Sequence, residues 1–154
     1  MGQFKVIQNK LGTWFSIPWY PIAISVYPVL ALLATNAGQV DLEAGIRPLV
    51  VSIAFGGLLF FVLWLFLRRA HKAAFLAALW LGLFFSYGHA YIAIDEKYPD
   101  SNYTLWLAAG WIILFIITLV WVTRPRFTFA SAAVMLNVAA LALLIMAGWE
   151  LVPE

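Results

Sequence analysis

The residues best suited to chemistry within an apolar stretch are Ser86-Tyr87-Gly88-His89, near the end of the third such stretch. Histidine titrates near neutral pH, and an ionisable side chain among apolar residues is where a proton-transfer or ligand site is sought first. Asp95 follows His89 by six residues, so the histidine lies within about two helical turns of the polar boundary. We therefore expect His89 to be a structural residue that hydrogen-bonds near this boundary. The alternative is a ligand-binding site formed by Asn36, Ser86, Tyr87 and His89.

The two histidines do not form a haem site within one chain. A haem needs one or two axial ligands, but His71 and His89 lie 18 residues apart along one predicted helix. At a rise of about 1.5 Å per residue they are separated by roughly 27 Å. His71 stands beside arginines, so we expect a solvated turn residue. The chain has no cysteine, and one histidine with loop carboxylates does not specify a metal site. No cofactor is assigned.

No Asp, Glu, Lys or Arg lies in the middle of any apolar stretch, which disfavours an ion-coupled transporter. Asn137 is the deepest amide, and we expect it to form a hydrogen bond between helices rather than a binding site. No serine-histidine-acid set, phosphate-binding loop or paired carboxylate occurs at helical depth. The residues therefore favour a protein that is not an enzyme.

The composition predicts a membrane protein: 65% of the residues are hydrophobic, 10% are charged and the mean hydropathy is +0.95. We expect an all-α antiparallel bundle of five transmembrane helices, each close to the ~20 residues that a bilayer core requires. The predicted spans are residues 19–35, 48–67, 73–94, 105–122 and 127–149. Residues 150–154 form a short tail.

The charges predict the orientation of this bundle, because basic and acidic side chains alternate between successive connections. The first group comprises Lys5, Lys10, Arg68, Arg69, Lys72, Arg124 and Arg126. The second comprises Asp41, Glu43, Asp95, Glu96, Asp100, Glu150 and Glu154, with Arg47 and Lys97. The positive-inside rule places the first group and the N-terminus in the cytoplasm, and the C-terminus outside. The net charge of +2 comes without an extended basic patch, which argues against nucleic-acid binding.

Two further predictions concern the segment before the first span and the middle of that span. In residues 1–18, apolar side chains recur at intervals of three and four residues, which predicts an amphipathic helix at the inner membrane surface. Pro28 lies in the middle of the span and cannot donate to the carbonyl of Ile24. We expect a kink there, with the free carbonyl satisfied by Ser25 or by a neighbouring helix.

Small residues indicate where helices approach each other closely in a membrane. The third span carries the longest stripe, at four-residue intervals: Ala70, Ala74, Ala78, Gly82, Ser86 and Ala90. It is therefore expected to be the central helix and to contact at least two others. Shorter patterns are Ser52 with Gly56, and Ala133 with Asn137 and Ala140. We interpret all three as packing within the chain, in preference to a dedicated surface for self-association.

A resemblance to a known family rests on several short segments. They are Tyr27-Pro28-Val29-Leu30, Asn36, Gly38-Gln39-Val40, Arg47-Pro48-Leu49, His71-Lys72-Ala73-Ala74 and Phe84-Phe85-Ser86-Tyr87-Gly88-His89. Together, between Tyr27 and Tyr91, they resemble the N-terminal membrane region of bacterial integral membrane proteins that carry a sulfatase-like hydrolase of the alkaline phosphatase superfamily. The resemblance implies an anchor in the bacterial cytoplasmic membrane, with the hydrolase outside after the last span. This chain ends at Glu154, so no catalytic residue is carried over.

The sequence leads to two functional hypotheses. The first is a non-enzymatic membrane module that anchors an outside domain or serves as a structural subunit, with the lipid bilayer and a membrane-protein partner or second copy around it. The second is an enzyme or carrier for a lipid-linked or amphipathic ligand at the outer leaflet, around Ser86, Tyr87 and His89. A polar cleft at that depth would favour the second, and a packed interior would favour the first.

Overall fold

The computed structural model of the protein describes residues 16–37, 39–98, 103–126 and 129–151, and the regular structure in these ranges is entirely helical. The helices are α1 (Tyr20–Thr35), α2 (Ile46–Leu67), α3 (Ala70–Asp95), α4 (Thr104–Thr123) and α5 (Ala130–Glu150), with a 3₁₀ turn at Leu42–Gly45 before α2. The predicted all-α fold is therefore confirmed. The amphipathic helix predicted before Ser16, and the end of the predicted tail, lie outside the described residues.

Four of these helices, α2 to α5, are long and apolar enough to cross a membrane. The protein therefore has the properties of an integral membrane protein. Helix α1 has 16 residues. At 1.5 Å per residue it measures about 24 Å, which is less than the ~30 Å thickness of a bilayer core.

The central position expected for α3 is confirmed, because α3 contacts each of the other four helices. Helix α1 packs against α2, α3 and α5, while α4 lies mainly on α3 and α5 mainly on α1. Successive helices alternate in direction, so α1, α3 and α5 run parallel to one another. The short connections α2–α3 and α4–α5 lie at one end of the bundle, here named the turn end. The longer connections α1–α2 and α3–α4 lie at the other, the loop end.

The buried part of α3 lies in the half nearest the turn end. All seven buried residues of α3 lie between Lys72 and Leu81. Alanines supply much of this core, with Ala74 fully buried and Ala78 nearly so. In α3 beyond Leu81, every side chain is half-buried or exposed. The turn-end half therefore provides a rigid base from which α1 and α3 extend toward the loop end.

The small-residue stripe of α3 marks a helix contact over only half of its length. Gly82 and Ser86 are exposed and Ala90 is half-buried. A Cβ atom added at Gly82 would meet no heavy atom of the described residues within 4 Å. The prediction that Gly82 lies at a close backbone contact is therefore wrong, because a groove separates α3 from α1 at this level.

A close approach of two helices occurs instead between α1 and α2. A Cβ atom added at Gly56 would lie 2.8 Å from the Cβ atom of Ser25, closer than packed atoms allow. Beside it, the hydroxyl of Ser52 donates to the backbone carbonyl of Ser25. The Ser25 hydroxyl donates to the carbonyl of Ile22, at 2.7 Å. Neither hydroxyl reaches the Ile24 carbonyl that Pro28 leaves free, so these two contacts do not fulfil the expected role.

Candidate functional site

The candidate site is a groove between the loop-end halves of α1 and α3, named here the α1/α3 groove. Its volume is about 460 Å³. The lining residues are Ile24, Tyr27, Pro28, Ala31, Leu32, Thr35, Gly82, Phe85, Ser86 and His89. They recur every three or four residues, so each helix presents one continuous face. This volume lies within the ~300–1,000 Å³ typical of small-molecule sites.

The groove lies where α1 and α3 separate beyond Leu81. Gly82 and Ala31 leave space on the two walls, and Pro28 prevents regular helical hydrogen bonding in α1 at this level. Phe85 closes part of the side toward α2, where Phe84 stacks in a tilted arrangement with Phe55. Small residues, Gly82 and Ala31, therefore leave the open space of the groove, and the large Phe85 bounds it on one side.

Four polar side chains line the groove among the apolar ones. The Ser86 hydroxyl donates to the Leu83 carbonyl at 3.0 Å, and the Thr35 hydroxyl donates to the Ala31 carbonyl. These hydroxyl hydrogens are already used, so Ser86 and Thr35 offer their oxygen lone pairs to a ligand. Tyr27 is half-buried, and His89 is exposed.

His89 differs from the expectation for a structural histidine. Its ring faces the groove and forms no hydrogen bond with another described residue. The expected partners on α1 do not reach it, because α1 and α3 are separated at this level. A side chain in this position can donate or accept a hydrogen bond to a molecule in the groove.

The other predicted ligand residues are distributed over different surfaces. Tyr87 points away from the groove and packs edge-on against Trp111 of α4, with ring centroids 5.6 Å apart. Asn36 lines a second groove of about 480 Å³, between α1 and the start of α2, and its amide donates to the Leu32 carbonyl at 2.7 Å. Pro28, Leu32 and Phe85 line both grooves. The structure therefore brings together Ser86 and His89, but not Tyr87.

Helix α4 holds the far side of α3 through indole groups. The Trp111 indole donates to the Leu83 carbonyl at 2.7 Å, and the Trp80 indole donates to the Thr118 hydroxyl at 3.1 Å. At the loop end, the Tyr103 hydroxyl donates to Asp95. Desolvation and this hydrogen bond raise the pKa of Tyr103, so its hydroxyl stays protonated at neutral pH. These contacts fix the α3 wall of the groove from behind.

Asn137 fixes the α1 wall from the other side. Its side chain is fully buried, accepts a hydrogen bond from the backbone N–H of Tyr20 at 2.9 Å and donates to the Ile17 carbonyl at 2.8 Å. The expected interhelical hydrogen bond is therefore confirmed. Asn137 lies seven residues after the start of α5 and contacts Tyr20, the first residue of α1. Helix α1 therefore begins about 10 Å further from the turn end than α5 does. At this depth the first N–H groups of a helix need a protein partner.

Lys72 is a buried cation whose role the sequence reasoning missed. It is 4% exposed, and its Nζ donates to the carbonyls of Thr123 at 3.2 Å and Arg124 at 2.6 Å. Those carbonyls form the C-terminus of α4, where a positive charge is favourable. A lysine in the first turn of a helix opposes the dipole of that helix. Its presence in the first turn of α3 was the sequence signal that Lys72 interacts with another helix. Lys72 joins the two turns at the turn end.

The second histidine also differs from its prediction as a solvated turn residue. His71 belongs to the first turn of α3, is half-buried and has an Nδ1 atom without a hydrogen-bond partner among the described residues. Neither histidine is near a metal-binding cluster, since within the described ranges no three His, Asp or Glu side chains gather to hold an ion. Asp100, one of the acidic loop residues, lies outside those ranges.

Comparisons with protein-family models, curated proteins and solved structures find no match to this chain.

Proposed function

We propose that the chain is a non-enzymatic membrane module that crosses the bilayer five times and holds an outside domain or a membrane-protein partner. The observation that carries this proposal is the separation of charge between the two ends of a packed helical bundle. The basic residues of the described turn end are Arg68, Arg69, Lys72, Arg124 and Arg126. The loop end carries the acidic Asp41, Glu43, Asp95 and Glu96 with Arg47 and Lys97. The positive-inside rule supports a cytoplasmic turn end.

The fifth crossing depends on α1, which is too short to cross as a regular helix alone. The non-helical residues from Ile17 to Trp19 extend it toward the turn end. Non-helical backbone is tolerated at membrane depth when protein groups satisfy it, and Asn137 does this at both Ile17 and Tyr20. These contacts support α1 as a complete span that begins inside the bundle.

The role as an anchor is supported by the rigid turn-end half and by the resemblance of residues 27–91 to the membrane region of sulfatase-like proteins. In such an arrangement the last helix, α5, delivers whatever follows it to the outside. The bacterial cytoplasmic membrane is the location that this resemblance implies.

A reporter fusion tests the proposal. A phosphatase that becomes active only when its disulfides form outside the cytoplasm is fused after Leu151, and a matched fusion is made after Arg126, before α5. We expect activity from the first fusion and none from the second, with both proteins resistant to extraction by alkaline carbonate. Activity from the Arg126 fusion, or release of the Leu151 fusion by carbonate, would refute the proposed module.

A second function, binding of a lipid-linked or amphipathic ligand, is favoured by one observation. The loop-end half contains a groove at the depth of Ser86 and His89 where tight packing would have left none. Native mass spectrometry of protein released gently from membranes should reveal a bound amphiphile that is lost in Ala31→Leu. Equal occupancy in this variant and the wild type would argue against the second function.

A further inference from the structure

The polarity of the α1/α3 groove changes along the bundle axis. Toward the middle of the bundle its walls carry Ile24, Pro28 and Gly82, whereas Thr35 and His89 lie at the loop end. An occupant that matches both parts must be apolar along most of its length and polar at one end. A lipid or another amphiphile with a hydrocarbon chain has this distribution.

The groove opens sideways rather than into an enclosed cavity. Leu32, on its rim, is 66% exposed, and Gly82 and His89 are also exposed. Within the apolar length of the helices, the medium beside such a surface is the bilayer. The occupant therefore enters from the lipid, where amphiphiles are already concentrated.

The charge at the polar end of the groove selects among amphiphiles. Helices α1 and α3 both end at the loop end, so both direct the negative ends of their dipoles toward this region. Glu96 follows directly on α3, and Asp41 and Glu43 lie in the connection after α1, whereas Asp95, the last residue of α3, is held by Tyr103 on the α4 side. Arg47 and Lys97 are the two cations of these described connections, so carboxylates outnumber cations there. A headgroup that carries an ammonium group complements this end better than one with only negative charge.

We propose that the α1/α3 groove binds the hydrocarbon chain of an amphiphile whose headgroup carries an ammonium group near His89 and the loop-end carboxylates. This proposal rests on the second function above and specifies its ligand chemistry. Thr35 and Ser86 accept hydrogen bonds from the polar headgroup of the amphiphile, and the apolar walls of the groove exclude water from its hydrocarbon chain. The same chemistry is offered by a bulk zwitterionic phospholipid and by a dedicated amine-bearing lipid.

The test uses photoreactive lipids in vesicles that contain the full chain. Phosphatidylethanolamine and phosphatidylglycerol, each with the same diazirine-bearing acyl chain, are crosslinked separately, and the labelled residues are identified by mass spectrometry. We expect labelling of Tyr27 or Phe85 to be about two- to fivefold stronger with phosphatidylethanolamine, the range that charges at helix ends support. Competition with unlabelled phosphatidylethanolamine should reduce this labelling, and labelling that competition leaves unchanged would refute a specific site. Mass spectrometry of the lipids that co-purify with the wild-type chain separates the sources: phosphatidylethanolamine indicates the bulk phospholipid, whereas a different amine-bearing lipid indicates a dedicated ligand.

Two variants fill the groove from opposite walls, Gly82→Leu on α3 and Ala31→Leu on α1. Gly88→Leu is the matched control, because Gly88 lies on the same helix, is equally open to an added Cβ atom and does not line the groove. We expect both filling variants to abolish groove labelling, and the control to retain it, with circular dichroism confirming that all three fold.

Two outcomes would overturn the proposal in distinguishable ways. Equal groove labelling by the two lipids, or stronger labelling by phosphatidylglycerol, would refute the ammonium preference while leaving an amphiphile site in place. Undiminished labelling in folded Gly82→Leu and Ala31→Leu would refute the site itself, and with it the second function. Neither outcome bears on the reporter test of the membrane module.

Discussion

Gly56 and Gly82 show how the same residue type in a similar pattern has opposite packing roles. Both belong to small-residue patterns at four-residue intervals, but only Gly56 faces another helix closely, at Ser25. Gly82 faces the groove. A glycine in a helix otherwise lowers its stability relative to alanine by about 1 kcal/mol. The surroundings therefore decide whether adding a methyl group destabilises the protein.

We predict that Gly56→Ala lowers the free energy of unfolding by about 1–3 kcal/mol, because the new methyl group forces α1 and α2 apart. Gly82→Ala is the matched control and should leave stability unchanged or raise it by up to about 1 kcal/mol. Denaturant unfolding in one detergent, followed by circular dichroism, measures both. Equal losses in the two variants would contradict the assigned contact.

Lys72 provides a second comparison, between a buried cation and an exposed one in the same turn. Lys72→Met retains much of the side-chain length but removes the donors to Thr123 and Arg124. We predict a loss of about 1–3 kcal/mol, because two carbonyls at the end of α4 lose their charged partner. Arg69→Met, at an exposed position, should change stability by less than about 0.5 kcal/mol. A neutral result for Lys72→Met would show that water replaces the lysine there.

At the scale of the helices, the start of α1 depends on one amide in α5. We predict that Asn137→Ala destabilises the protein by about 1–3 kcal/mol, because the Tyr20 N–H and the Ile17 carbonyl are left without their partner. Val138→Ala, at the neighbouring exposed position, is the control. Hydrogen exchange measured by mass spectrometry should show faster exchange at Tyr20 in Asn137→Ala only. Unchanged exchange would mean that another group protects this N–H.

The sequence was sufficient to predict the helices, because long apolar runs separated by charges and prolines leave little choice in a membrane. It also indicated the helix-joining role of Asn137, since a deep amide needs a partner. It could not show that α1 and α3 separate beyond Leu81, because Ala78 and Gly82 are equally compatible with close contact. The separation of α1 from α3 depends on how deep in the bundle α1 begins, and that depth is set by contacts between distant residues.

The candidate site was predicted in part for a similar reason. Ser86 and His89 are three residues apart and share a helical face, so their joint position in the groove follows from helix geometry. Tyr87 lies about 100° around the helix from Ser86 and therefore faces α4. The prediction that Tyr87 shares a site with Ser86 and His89 did not take this angle into account. Asn36 could not be placed from sequence, because its position depends on how α1 ends.

At the scale of the whole molecule, the bundle combines a packed turn end with an open loop end. Lys72 and the alanine-rich core hold the turn end together. At the loop end, indole hydrogen bonds and aromatic contacts join α3 to α4 on one side only, and the side of α3 that faces the groove stays uncovered. In the proposed membrane module, this division would combine a stable base with a groove that opens sideways between α1 and α3. The proposed lipid-facing groove and the proposed orientation both require that α1 crosses the membrane.

Single cysteines on either side of α1 test this directly, and the native chain contains no cysteine that would interfere. Lys10→Cys and Gln39→Cys lie before and after α1, while Arg69→Cys and Glu96→Cys serve as exposed references for the turn end and the loop end. A membrane-impermeant maleimide applied to intact cells should label Gln39→Cys and Glu96→Cys. Lys10→Cys and Arg69→Cys should react only after the membrane is permeabilised. Labelling of Lys10→Cys and Gln39→Cys from the same side would contradict the five-span account.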